Sequence, residues 1–186
     1  VDVHLDVTPF YAEAGGQVGD RGRIHNDDVI VEVDDTFVEG EAIVHRGRLL
    51  EGDPEALRGA RVVAAVDRDR RLDTARNHTG THILHAALRR VLGSHVQQSG
   101  SLVAPDRLRF DFTHFAGIEP VELEEIETVA NAAIREDLGV DVSYVQLDKA
   151  RELGAVMLFT EKYGDVVRMV RIGEFTLELC GGTHVQ

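Results

Sequence analysis

Residues 69–92 read DRRLDTARNHTGTHILHAALRRVL, and their small and apolar positions repeat with the period of a helix. Leu72, Ala75, Thr79, His82, Ile83, Ala86, Ala87, Val91 and Leu92 recur at helical spacing, as 3.6 residues per turn requires. Gly93 supplies a natural C-terminal stop. His78 and His82 are four apart, one turn apart on one face, so they can hold one ion between them. Alone, this H-x-x-x-H spacing is a weak signal in a chain with nine histidines.

Upstream of that helix the pattern is of strands and turns. Val1–Val7 alternates, Gly15-Gly16 and Gly19 to Gly22 punctuate, Val29–Val33 is β-branched, and Ala42–Val44 and Arg61–Val66 are short apolar runs. Five or so short strands there predict a small β-barrel-like subdomain or a curled sheet. Downstream, Ser101–Ala104 and Arg107–Phe112 flank Pro105-Asp106 and read as a hairpin. A second helix is expected from Pro120 to Leu138, closed by Gly139, burying Leu123, Ile126, Val129, Ala130, Ala133 and Ile134. A strand at Val140–Leu147, a short helix at Asp148–Leu153, and strands at Val166–Ile172 and Phe175–Leu179 complete the reading. The expected class is α+β. A β-rich glycine-motif subdomain over 1–68 precedes an α/β core over 69–186, whose helices pack on a mostly antiparallel sheet.

Apolar residues make up 43% of the 186, enough for a core and too many for a disordered chain. No stretch approaches the ~20 apolar residues of a membrane span. The net charge of −13 argues against a nucleic-acid binder when taken as a whole. The charge is uneven, however. Asp67 to Arg109 holds eight arginines against four aspartates, whereas Glu119 to Asp137 holds seven acids and only Arg135. One basic and one acidic face are expected, with solvated helix faces as the bland alternative. The opening VDVHLDV shows no signal peptide, and its start on Val1 rather than Met suggests a piece of a longer chain or a processed one. The single cysteine, Cys180, cannot form an internal disulfide, so a reducing cytoplasmic setting is expected.

That cysteine lies in Cys180-Gly181-Gly182-Thr183-His184. Cys180 and His184 are again four apart, with two glycines that suggest a tight turn where backbone comes close to something. An inert buried thiol and a Cys–His nucleophile pair are the competing readings. Joined with His78 and His82, the two residues make a tetrahedral N/S set suited to one Zn²⁺ per chain.

These motifs bring a family into view. The chain resembles the editing region of bacterial-type alanyl-tRNA synthetases and the freestanding alanyl-tRNA editing proteins related to them. The resemblance runs through Thr8–Asp20, His78–His85, Gly93–Ser101, Arg107–Phe112, Glu161–Asp165 and Cys180–His184, in family order. It implies zinc held by His78, His82, Cys180 and His184. It also implies a deacylase that clears serine and glycine from tRNA(Ala), with the tRNA acceptor end and the remainder of a synthetase chain as partners. Ligation and ATP binding would belong only to the full-length parent. Gly80 stands where the family usually has Ala, and Ala14 where it has Ser; neither change removes a ligand.

Gln98 matches a glutamine associated with editing in that family, and its amide can donate to a carbonyl and accept from water. Glu178 lies two residues before Cys180, on the same strand face. It is expected to orient a histidine ligand or to act as general base. Gly15, Gly16 and Gln17 read as a turn facing substrate, and the hydroxyls of Thr79, Thr81 and Thr183 flank the ligands. The rivals are a binding module with purely structural zinc and a metal-free Cys180–His184 hydrolase.

Overall fold

The computed structural model describes residues 1–157 and 163–186. Glu161 and Lys162 of the Glu161–Asp165 motif lie outside the described residues. The N-terminal strands are β1 (Asp2–His4), β2 (Gly22–His25), β3 (Ile30–Glu39), β4 (Ala42–Glu51) and β5 (Val63–Val66). They form one antiparallel sheet in the order β1-β4-β3-β2-β5. Val31 and Val33 point inward on β3 and are buried with Ile24 of β2, the alternation of a half-buried sheet. The edge strands β1 and β5 do not pair with each other. Closure of a barrel requires that pairing, so this is an open sheet, and the barrel-like expectation is corrected. Strands β3 and β4, ten residues each, are longer than the short strands read from the sequence and form the longest hairpin of the sheet.

The chain then enters α1 (Arg68–Leu92), capped at its start by the Asp67 side chain, which accepts from the Arg70 amide. It ends at Gly93, whose φ of 114° only glycine adopts readily. A hairpin follows, β6 (Gln98–Val103) with β7 (Leu108–Phe112), and then α2 (Pro120–Arg135). Next come β8 (Val140–Gln146), α3 (Leu147–Glu152), β9 (Val166–Ile172) and β10 (Thr176–Leu179), with a second antiparallel sheet in the order β10-β9-β8. The observed class is α+β with antiparallel sheets.

Helix α1 lies at the centre. Ala87 and Leu88 pack with Val96 and Ile126, flanked by Phe110 and Phe112 of the hairpin. One turn earlier, Ile83 meets Ala133 of α2 and Ile172 of β9. Its remaining buried face is polar: Thr74, His78, Thr79, Thr81, His82 and His85 are all buried. Helix α2 stops at Arg135, three residues short of the expected Leu138. Asp137 adopts a left-handed φ of 49°, a conformation that aspartate tolerates, and this ends the helix before Gly139 is reached. Of the apolar residues expected to be buried on α2, Ile126 and Ala133 are, but Leu123 and Ile134 are more than half exposed.

A buried ion pair joins the first sheet to α1. The Asp20 carboxylate accepts from the Tyr11 amide at 2.6 Å and from the Arg71 guanidinium, which also donates to the Pro9 carbonyl. The backbone adds to this tie, because Val18 donates to Val103 and Val103 to Gly16, both across to β6. Among the described residues no helix is long and apolar enough to cross a membrane.

Gly80 sits inside α1, and a Cβ built there would meet only Leu108 Cδ2, at an ordinary 3.5 Å. We therefore expect Gly80→Ala to stabilise the fold by about 1 kcal/mol, read as a rise of roughly 2–4 °C in Tm. A fall in Tm would show that this turn of the helix needs glycine.

Candidate metal centre

The Nε2 atoms of three histidines and the sulfur of Cys180 converge because three parts of the chain are fixed around α1. Helical spacing puts His78 and His82 side by side, their rings stacked with centroids 5.3 Å apart. After β10 the chain turns through Gly181-Gly182, returning His184 to within 4.4 Å of His78 and 5.0 Å of His82, ring centre to ring centre. Gly182 is required by close approach, since a Cβ there would overlap the His78 ring. The loop is pinned by Arg168, which donates to the Cys180 carbonyl at 2.6 Å.

His78, His82, Cys180 and His184 each offer one ligand atom, all within 4.8 Å of one another. Cys180 Sγ lies 3.3 Å from His78 Nε2 and 3.4 Å from His184 Nε2. The edge of a tetrahedron with Zn–N and Zn–S bonds of ordinary length is roughly 3.3–3.7 Å. His82 Nε2 is buried and has no hydrogen-bond partner among the described residues, an arrangement that a cation would complete. The donor set therefore fits a metal of zinc's preference.

Each imidazole is held from behind through Nδ1. His78 donates to Gln17 Oε1 at 2.6 Å, His82 to Glu178 Oε2 at 2.6 Å, and His184 to Thr79 Oγ1 at 3.2 Å. These bonds fix the tautomer that leaves Nε2 facing the centre. Gln17 Oε1 also accepts from the Thr183 amide at 2.9 Å. Gly15 and Gly16 make this possible. With φ of 58° and 85° they form a primed turn between Ala14 and Gln17 that sends the Gln17 side chain inward, where it is fully buried.

The charges follow from these contacts. Burial would raise the Cys180 thiol, but hydrogen bonds with His184, His78 and His82 bring it down to about 3, so it is a thiolate. Burial takes His184 down to about 4 against the pull of Cys180, leaving the ring neutral. For His82 burial opposes charge, yet Glu178 and Cys180 outweigh it and push the ring up to about 10. Burial likewise opposes the Glu178 charge, but His82 and His85 hold it well below the usual carboxylate range. An incoming cation would displace the proton on His82.

A cavity of about 200 Å³ opens on this cluster, lined by His78, His82 and Cys180 and walled by Gln98, Glu178, Thr81 and Gly15. Gln98 is half-buried and its amide has no hydrogen-bond partner among the described residues. The Thr81 hydroxyl donates to the Asn77 carbonyl, Thr79 receives His184 and the Val185 amide, and Thr183 Oγ1 is buried without a partner among the described residues. Gly16, Gln17, Thr79 and Thr183 thus sit behind the cluster rather than on the cavity wall. His85, three residues beyond His82 on the same stripe, carries no motif signal, yet it shares the Glu178 carboxylate at 3.2 Å. That Gln17 faces His78 is likewise not legible, because the position of the glycine turn in sequence gives no sign of it.

Residues 1–70 match the family described as tRNA synthetases class II (A), and residues 167–186 match the threonyl and alanyl tRNA synthetase second additional domain. The chain is 56% identical over 185 residues to an alanine–tRNA ligase of Methylococcus capsulatus, covering 99% of this chain. It is 54% identical to that of Acetivibrio thermocellus and 52% to that of Thermotoga maritima, each over the whole chain. Over its whole length this chain is similar to one part of the alanyl-tRNA synthetases. It spans 21% of the length of each of these relatives. Residues 167–186, the part matching the threonyl and alanyl domain, carry Glu178, Cys180 and His184, so this segment contributes half of the donor set.

Because Gln17 and Glu178 orient two ligands, Gln17→Ala and Glu178→Gln should each weaken metal affinity by about 10–100-fold, measured by competition with a chelator. Gly182→Ala should abolish tight binding. Native affinity in both clamp variants would mean the histidines orient themselves.

Proposed function

We propose that this chain is the editing deacylase of an alanyl-tRNA synthetase, hydrolysing Ser-tRNA(Ala), and Gly-tRNA(Ala), at a zinc centre held by His78, His82, Cys180 and His184. The observation that carries the reading is that a four-donor cluster forms part of the wall of a cavity which also presents Gln98. A zinc buried for scaffolding alone needs no such opening. The sequence departs from a metal-free Cys–His hydrolase in that His78 and His82 complete the donor set.

Hydrolysis adds water across the ester: the acyl carbon–oxygen bond breaks, hydroxide joins the acyl carbon, and the ribose oxygen takes the proton. Bound zinc supplies Lewis acidity and a fixed positive charge for such chemistry. The rest falls to the chain's own residues. The Gln98 amide donates to the ester carbonyl, whose oxygen gains charge in the transition state, and a preorganised donor there is worth a large rate factor. Glu178 keeps His82 in the Nδ1–H tautomer and holds its ring in place. The walls admit an acyl group as small as seryl or glycyl. A second hydrolytic site of this kind supplies discrimination that an alanine pocket lacks, because one added hydroxyl is rejected poorly there. The acceptor end of tRNA(Ala) and the remainder of the synthetase are the partners of this reading, with the reaction in the cytoplasm.

The chain should bind one zinc, and Cys180→Ala should lose most of it by elemental analysis. In single-turnover assays the wild type should deacylate Ser-tRNA(Ala) and spare Ala-tRNA(Ala). Gln98→Ala should slow the reaction by about 10²-fold with zinc content and Tm unchanged. Full zinc and RNA binding without deacylation would make the chain a binding module; a native rate in Gln98→Ala would remove Gln98 from the chemistry.

A further inference from the structure

Beside the cluster cavity lies a second pocket of about 300 Å³, sharing Gln98, Val156 and Met157 with it. Its inner wall includes His85, which is 98% buried by its 2% exposure. His85 turns its Nδ1 edge to Glu178, at 3.2 Å from one carboxylate oxygen. A carboxylate only accepts, so Nδ1 carries the proton, and in the neutral ring Nε2 is then an acceptor. With Nδ1 on the carboxylate, the Nε2 side of the ring is turned away from Glu178. Nε2 is buried and has no partner among the described residues. An acceptor left open in a well-packed wall costs free energy unless something donates to it.

The pocket does not end there. It shares Arg89, Ser94, Gly154 and Val156 with a wider depression of about 430 Å³ that also holds Arg90 and Arg171. The donor-cluster cavity, the His85 pocket and this depression with its three guanidinium groups are thus successive neighbours with shared walls, on a chain whose net charge is −13. Arg89 and Arg90 are held by backbone carbonyls of Val96 and Phe175, and Arg90 also stacks on the Phe175 ring at 3.8 Å. Their charges are therefore fixed in position. Arg171 pairs with the exposed Glu174 at 3.4 Å and has Asp141 opposite it on β8.

We propose that the second pocket is the subsite for the terminal nucleoside of an aminoacylated RNA, that His85 Nε2 accepts a hydrogen bond from the ribose hydroxyl vicinal to the ester, and that the preceding phosphates leave over Arg90 and Arg171. This rests on the deacylase reading. With the acyl group in the cluster cavity, the ribose must occupy the neck between the two pockets. The vicinal hydroxyl is the nearest donor to the reacting ester, and it is the group by which a protein tells RNA from DNA. Gln97, also on the pocket wall, offers the donor–acceptor pair that an adenine edge accepts. His85 is a positioning residue: it touches the sugar and leaves the ester to the cluster.

Equilibrium binding of an unacylated RNA hairpin with a single-stranded 3′-terminal adenosine tests this without hydrolysis. The zinc-loaded wild type should prefer the ribose terminus over its 2′-deoxy counterpart by about 10-fold, the scale of one buried hydrogen bond. His85→Asn keeps a donor for Glu178 and lacks the Nε2 acceptor; it should erase that preference at unchanged zinc content. Arg171→Glu should weaken both RNAs alike and flatten the salt dependence, and Glu174→Lys should tighten them. Equal binding of the two termini by the wild type overturns the hydroxyl contact, whether or not His85→Asn folds. Native RNA affinity in Arg171→Glu overturns the exit path. A terminus preference in a chain that fails to deacylate Ser-tRNA(Ala) would keep this subsite and sink the deacylase reading; deacylation without the preference would do the reverse.

Discussion

One carbonyl oxygen holds three distant parts of this molecule together. Gln17 Oε1 receives the His78 ring from α1 and the Thr183 amide from the cysteine loop, partners 61 and 166 residues away in sequence. The Gln17 side chain is fully buried, where an amide oxygen without donors would be costly. The glycine turn, the helix and the final loop therefore satisfy each other or leave a buried polar group unpaired. The orientation of His78 and the approach of Cys180 both follow from that constraint.

The polar face of α1 gives the same lesson at larger scale. A helix that buries three histidines and three threonines gains little from apolar contact along that face. Its other sides make up for this through Ile83, Ala87 and Leu88, packed on α2, the hairpin and β9. The site is thus built on a rigid element whose stability comes from elsewhere in the core, which allows the imidazoles to serve ligands rather than packing.

How much of this could be read in the chain beforehand depended on the range of the interaction. Gly93 and the stripe of α1 are local signals, and they marked that helix to within a residue. The Pro105-Asp106 hairpin was equally plain. The end of α2 was misjudged because nothing near Asp137 in sequence announces a left-handed aspartate. Periodicity alone puts Leu123 and Ile134 on the buried face, but burial depends on what packs against that face, and these two are covered over less than half their surface. Whether the N-terminal strands close into a barrel or stay a curled open sheet is not legible for a like reason, since pairing between β1 and β5 is a question about strands some sixty residues apart. At the centre, the four donors were visible as two spacings of four. Their supports were not: the turn formed by Gly15 and Gly16 is legible, but the partner of the glutamine that follows is not.

The geometry also sets the order in which such a centre can come into being. His78 and His82 are brought together by a single helix, whereas Cys180 meets His78 across 102 residues. Closing so long a loop costs more entropy than closing a short one, though only logarithmically. Two ligands can be in place as soon as α1 forms, while the other two must wait until β9 and β10 have paired and the final turn has docked. On a nascent chain emerging from the ribosome, the helix would display half a binding site for the whole time the later strands are being made, and an ion captured early could be held by only two rings. Secure retention would begin with the arrival of the thiolate, making the Cys180–His184 loop the latch on a centre whose helical frame was laid down first.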